Sequence, residues 1–148
     1  MNILFVVARV LLVLIFIISG AEKLLDLTAT AQQIGGYVTV PDALSGYATQ
    51  LQQATGMTVA QLLAIVIGVV EIAGGLLIAF NIATRTAAAV LAIFTLLTIV
   101  YVHNFWAMTG APRADNMIHA LKNLSMIGGL LTYVVLGSWR PAPPRQQI

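Results

Sequence analysis

The sequence contains no cysteine and very few charged residues. Without cysteine the chain can form no disulfide, no zinc-thiolate site and no dithiol relay, so redox chemistry would need a bound cofactor or a quinone. Charged residues make up 8% of the 148 residues and hydrophobic residues 59%, whereas about a quarter of the residues in a soluble protein are charged. This composition predicts an integral membrane protein.

The few charges also exclude one class of partner. The formal net charge is only +2, and several charges lie within apolar stretches, so the sequence predicts no basic surface of the kind that binds nucleic acid. The partners that remain open are membrane lipid, a redox partner protein and a second copy of the chain.

Four segments are apolar enough to cross a bilayer, for which about 20 mostly apolar residues are needed. They cover residues 3–25, 58–80, 83–106 and 116–136. We therefore predict an all-α membrane protein that folds as one domain, residues 1–148, in the form of a four-transmembrane-helix bundle.

The connection between the first two segments has a different character. Residues 26–57 contain neither Lys nor Arg and are interrupted by glycine and proline, so they are too polar to span. Within residues 43–54 an apolar stripe at i, i+3, i+4 and i+7 predicts a short amphipathic helix, on the membrane surface or over the end of the bundle. Its members are Leu44, Tyr47, Ala48 and Leu51. An irregular loop is the alternative.

Orientation is predicted from the Lys and Arg residues outside the spans, which favour the cytoplasmic side. Arg85 follows the turn between the second and third spans, and Arg140 and Arg145 lie in the tail, residues 137–148. The loop at residues 26–57 has no such residue. Both termini are therefore predicted in the cytoplasm, and this loop is predicted outside.

Arg9, Glu71 and Arg85 are predicted to form an inner polar network. A charge inside a bilayer costs several kcal/mol unless it is paired. At about 1.5 Å of rise per residue, Arg9 lies roughly 9 Å and Glu71 roughly 13 Å above the inner ends of their spans. We therefore expect Arg9 to pair with Glu71, and Arg85 to reach the same carboxylate or extend to the interface. The pair would serve as a charge relay or as a structural pin.

A second polar cluster is predicted at the outer ends of the first, third and fourth spans. On the fourth span Asn116, His119 and Asn123 are spaced i, i+3 and i+7, so one face of that helix is polar. The members of the cluster are Glu22, Lys23, His103, Asn104, Asn116, His119, Lys122 and Asn123.

Several chemistries suit this cluster. Two imidazoles from separate helices can ligate a b-type haem, or a metal ion completed by Glu22. Haem between helices needs a wide slot lined by glycine, however, and the glycine pairs of this sequence lie at the other end, so haem and metal fit less well. Lys and His side chains suit the oxygens of a quinone headgroup, and imidazole can exchange the accompanying protons. The expected ligand-binding residues are His103, His119, Lys122, Asn123, Glu22 and Lys23, with no metal site. A rim held together by hydrogen bonds is the alternative.

The ordered motifs of the sequence resemble those of the DoxX family. Arg9 followed by an apolar run that ends in Ser19-Gly20-Ala21-Glu22-Lys23 is similar to the family's opening signature. The family's second motif is similar to Glu71-Ile72-Ala73-Gly74-Gly75 with Arg85 beyond it. Its third and fourth motifs resemble the region from His103 to Asn123. The resemblance covers nearly the whole chain, with residues 43–57 similar to an insertion in the first loop.

The resemblance implies a four-helix protein of the bacterial inner membrane, in a family described as membrane oxidoreductases linked to quinone enzymes. We therefore expect quinone-linked redox chemistry with a ligand in the outer cluster. The alternatives are a non-enzymatic anchor or assembly subunit for a redox partner, and a small lipid-binding or transport protein. No catalytic residue is assigned, because none of these side chains can itself carry electrons.

Overall fold

The computed structural model describes residues 3–137, which form α-helices joined by short turns. The helices are α1 (Ile3–Leu25), α2 (Leu27–Gly35), α3 (Ser45–Thr55), α4 (Val59–Ala79), α5 (Thr84–Tyr101) and α6 (Gly110–Leu136), and two 3-10 turns cover Asp42–Leu44 and Phe105–Ala107. The tail residues Arg140 and Arg145, used above to predict orientation, lie outside the described residues.

Four helices, α1, α4, α5 and α6, are long and apolar enough to cross a membrane. The predicted all-α membrane fold is confirmed, and the amphipathic helix of the first loop is present as α3. The fourth span differs from its prediction because α6 begins at Gly110, before the apolar segment. Its first turns are polar and exposed, so hydropathy alone does not reveal that they are helical.

The four spanning helices associate as two closely packed pairs, α1 with α4 and α5 with α6. The two pairs are joined by contacts between α4 and α5. One core runs between the pairs and includes Val13, Phe16, Ile78, Leu91 and Leu130, all nearly or fully buried. We call the end where α1 ends and α4 begins the loop end, and the opposite end the far end.

Glycine sets the spacing of α1 and α4. A Cβ atom built on Gly20 would lie 2.7 Å from the carbonyl oxygen of Gly68, and one on Gly68 would lie 3.0 Å from that of Gly20. In a membrane the hydrophobic effect does not drive helices together, so they associate through close packing, which small residues permit. This contact fixes the register of the pair, with Gly20 beside Gly68 and Glu71.

The loop end is covered by α2, which was not predicted. Its N-cap is Asp26, whose carboxylate accepts a hydrogen bond from the backbone N–H of Ala29 at 3.0 Å. It packs on α4 and buries Thr30 and Ala31. By contrast α3 has no buried residue. Of the two helices in the first loop, α2 therefore packs against the bundle, whereas α3 lies on its surface.

A capping box begins α4. Thr58 accepts a hydrogen bond from the backbone N–H of Gln61, and the Gln61 side chain accepts one from the backbone N–H of Thr58 at 2.8 Å. We expect Thr58→Ala to lower the free energy of unfolding by about 1 kcal/mol, because the backbone N–H of Gln61 loses its partner. Unfolding in mixed micelles would measure it, with Thr86→Ala, at an exposed position in α5, as the control. Equal effects of the two substitutions would contradict the capping role.

Candidate functional site

A cavity of about 370 Å³ lies between the helix pairs in the half of the bundle nearer the loop end. α1, α2, α4, α5 and α6 all contribute to its wall. Its polar lining residues include Lys23, Glu71, Thr98, His103, His119 and Asn123, and its apolar lining residues include Ile15, Phe16, Ile67, Phe94 and Met126. Both histidines of the sequence thus share one cavity with the charged groups of α1 and α4.

An ion pair crosses from α1 to α4 in this wall. The Lys23 Nζ atom lies 2.8 Å from Glu71 Oε2 and also donates to the Ser19 hydroxyl, one turn earlier on α1. Side chains on a helix lean toward its N-terminus, so Lys23 reaches back to the level of Ser19, where the carboxylate lies. Glu71 is 4% exposed, so the ammonium group neutralises a buried charge.

The predicted pairing of Arg9 with Glu71 is wrong. The register of α1 and α4 places Glu71 beside Gly20, and Arg9 lies eleven residues earlier, about 16 Å along the helix. The depth calculation assumed that both helices end at the same level, which the glycine contact shows to be incorrect.

Arg9 instead lies buried near the far end, where its guanidinium carbon is 5.9 Å from the centre of the Phe5 ring. The Phe5 ring in turn lies 5.8 Å from that of Tyr133 on α6. A guanidinium group is attracted to the face of an aromatic ring at this distance. Arg9 therefore belongs to the contact between α1 and α6, away from the cavity.

Arg85 does not join Glu71 either. Its Nη2 atom donates to the backbone oxygen of Val135 at 3.3 Å, in the last turn of α6. The last carbonyl groups of a helix have no partner within the helix, and a cation there also interacts favourably with the helix dipole. Arg9, Glu71 and Arg85 thus act at three separate places, and the predicted inner network does not form.

The two histidines are stacked on one another. Their ring centres are 5.0 Å apart, and the planes differ by 14°. The Asn116 side-chain nitrogen donates to the backbone oxygen of Pro112 at 2.9 Å, and Asn116 Oδ1 lies 3.0 Å from His103 Nδ1. Because an amide oxygen can only accept, His103 Nδ1 carries the proton of this bond. A neutral His103 therefore has its acceptor at Nε2.

This stacking does not fit haem. Two axial imidazoles must point their nitrogens at one iron from opposite faces of a macrocycle, whereas these two rings face each other with no slot between them. Within residues 3–137, no group of three or more His, Cys, Asp or Glu side chains is placed to hold a metal ion.

Two of the predicted ligand-binding residues lie outside the cavity. Glu22 and Lys122 are exposed, and Glu22 borders grooves on the surface of α1. The other four, Lys23, His103, His119 and Asn123, line the cavity together.

Sequence reasoning missed several polar wall residues. Ser19 could have been found, because it lies one helical turn from Lys23. Thr95 and Thr98 carried no signal, since threonine hydroxyls commonly bond within their own helix, as both do here, to Leu91 and Phe94. Glu71 was recognised as important but was assigned the wrong partner, Arg9 instead of Lys23.

Comparison with known proteins supplies the family. The sequence profile of the DoxX family matches residues 4–104, more than half of the chain. The chain is similar to the inner membrane protein YphA of Escherichia coli K12, with 31% identity over 135 residues, 91% of this chain and 84% of that protein. It is also similar to the inner membrane protein YqjF of the same organism, with 30% identity over 131 residues, 88% of this chain and 82% of that protein.

No solved structure matches. The four apolar helices and the two inner membrane relatives support a multi-pass protein of the inner membrane. The profile match and both relatives together show that the chain belongs to the DoxX family.

Proposed function

We propose that the cavity binds the headgroup of a quinone, and that the protein takes part in quinone-linked redox chemistry in the bacterial inner membrane. The observation that carries this proposal is a cavity lined by both hydrogen-bonding groups and apolar side chains, inside an apolar bundle. Its volume, about 370 Å³, is within the range of roughly 300–1,000 Å³ that is usual for small-molecule sites.

The cavity has the groups that a quinone headgroup needs. Quinone oxygens accept hydrogen bonds, and the amide of Asn123 and the ring of His119 can donate them. The ammonium of Lys23 already donates to Ser19 and Glu71, so it contributes its positive charge. The apolar side chains of Phe16 and Phe94 suit the face of a flat ring.

A bound quinone would supply two-electron chemistry with proton uptake. The part of this chain is to bind and orient the ring and to hold protons close to it. An imidazole ring can both accept and donate a proton, and the pair of Lys23 and Glu71 places a second exchangeable proton beside the cavity. Because no side chain here carries electrons, the electrons come from a redox partner. With both termini in the cytoplasm, as proposed from the basic residues, the cavity belongs to the outer half of the membrane.

The proposal predicts that His119→Ala weakens quinone binding by up to about tenfold, the equivalent of one hydrogen bond. Binding of a short-tailed benzoquinone to protein in detergent, followed by tryptophan fluorescence, would measure it. Lys122→Ala is the matched control, because Lys122 lies on the same helix but outside the cavity, and it should leave binding unchanged. Quinone binding that is undetectable in the parent protein, or equally weakened by both substitutions, would refute the site.

A further inference from the structure

The packing of α1 against α6 differs between the two halves of the bundle. A Cβ atom on Gly129 would touch Leu12 at 2.9 Å, and Phe5 and Tyr133 are in ring contact. Both contacts lie toward the far end. α1 and α6 therefore close the bundle there, although their overall contact is the weakest among the neighbouring spans.

Toward the loop end the same two helices border the cavity. Ile15 and Ser19 on α1, and Asn123 and Met126 on α6, lie in its wall. Ile15 lines the cavity and is nevertheless half exposed. A wall residue that is also exposed marks an opening, and α1 packs closely on α4 but only weakly on α6, so the cavity communicates with the surroundings on the α1–α6 side.

A groove of about 520 Å³ on the outer face of α1 continues this opening. It is lined by Leu11, Leu14, Ile15, Ile18, Ser19 and Glu22, and shares Ile15 and Ser19 with the cavity. Apart from its loop-end border at Ser19 and Glu22, the groove is aliphatic. Its direction is along α1, toward the middle of the span.

We infer that the cavity takes its ligand sideways from the bilayer, through a portal between α1 and α6, with an apolar tail seated in the α1 groove. The ligand is then an amphipathic molecule dissolved in the membrane. The inference rests on the proposed function only for the identity of the headgroup. The continuity of cavity and groove at Ile15 and Ser19 supports the route.

A second route would be from water. Another groove, of about 580 Å³, lies between α1 and α2 and is lined by polar groups that include Glu22, Asp26 and Gln32. It shares Ser19, Lys23, Thr30 and Gln33 with the cavity. Its polar walls suit water and protons but offer no seat for an apolar tail. An aqueous ligand would use this groove, so the two routes make opposite predictions.

A cysteine introduced into the cavity distinguishes the routes, because the chain contains no other cysteine. Thr98 lies in the wall and is partly buried. In vesicles, we expect Thr98→Cys to react severalfold faster with a bilayer-dissolved pyrene maleimide than with a charged maleimide in water. Ile15→Trp in the same background should slow the bilayer reaction severalfold by filling the portal. Val69→Trp on α4 is the control, because Val69 is 50% exposed and Ile15 51%, yet Val69 borders neither the cavity nor the α1 groove.

Preferential reaction with the charged maleimide, reaction with neither reagent in folded protein, or equal slowing by both tryptophan substitutions would each overturn the portal. Folding is checked by the unfolding midpoint of each variant.

If Thr98→Cys does not fold, uptake of quinone from vesicles by the cysteine-free protein replaces the labelling experiment. Ile15→Trp should then slow the uptake of a long-tailed quinone severalfold and leave that of a tailless quinone unchanged, and equal effects on both would overturn the portal. Labelling as expected without quinone binding would refute the proposed function alone.

Discussion

Lys23→Met is expected to lower the free energy of unfolding by about 2 to 3 kcal/mol. Removing one partner of a buried ion pair typically costs about 3 to 5 kcal/mol, and we expect less here because the Lys23 side chain is 26% exposed. The loss arises because the Glu71 carboxylate, which is buried, must then stay unpaired or take up a proton. Unfolding in mixed micelles would measure the change.

The double substitution Lys23→Met with Glu71→Leu tests whether this loss comes from the pair. Replacing both partners by apolar residues of similar size is often neutral or stabilising, so the double variant should recover most of the stability that Lys23→Met loses. Losses that simply add would show that the two side chains do not interact. Arg9→Met with Glu71→Leu is the comparison, and there we expect additivity, because the two side chains are at different levels of the bundle.

Gly20→Val is expected to cost about 1 to 3 kcal/mol through overpacking. An added Cβ at this position would lie 2.7 Å from the backbone oxygen of Gly68. A backbone oxygen cannot rotate away as the end of a side chain could. α1 and α4 must therefore move apart, and the distance between Lys23 and Glu71 must increase. The unfolding midpoint in detergent would measure the loss of stability.

Gly128→Ala is the matched control, since Gly128 is also a glycine within a spanning helix but has no atom within 4 Å of an added Cβ. It should be neutral or stabilising, because alanine is favoured over glycine within a helix. A loss at Gly128 as large as at Gly20 would mean that helix flexibility, and not the close approach of α1 and α4, explains both substitutions.

Hydropathy was sufficient to predict the spans, because each is a long apolar run that only a helix can carry across a membrane. It failed at the ends of helices outside the apolar layer. The first turns of α6 are polar, and α2 is a nine-residue helix whose packing on α4 provides a stability that local sequence cannot show.

The grouping of residues around the cavity was predicted in part. His103 and His119 come together because both lie near the same end of α5 and α6, which hydropathy already indicates. Glu71 was assigned the wrong partner because the depth of a residue depends on how far one helix slides along another. That register depends on the contact of Gly20 with Gly68, which a calculation from helix ends does not include.

The pair of Lys23 and Glu71 also bears on how the chain enters the membrane. The two residues are 48 positions apart, and the helix that carries Lys23 leaves the ribosome before α4. A carboxylate that enters the bilayer alone costs several kcal/mol. Glu71 can instead enter beside a helix that already carries its counter-ion, so α1 acts as an insertion partner for α4 before either becomes part of a finished bundle.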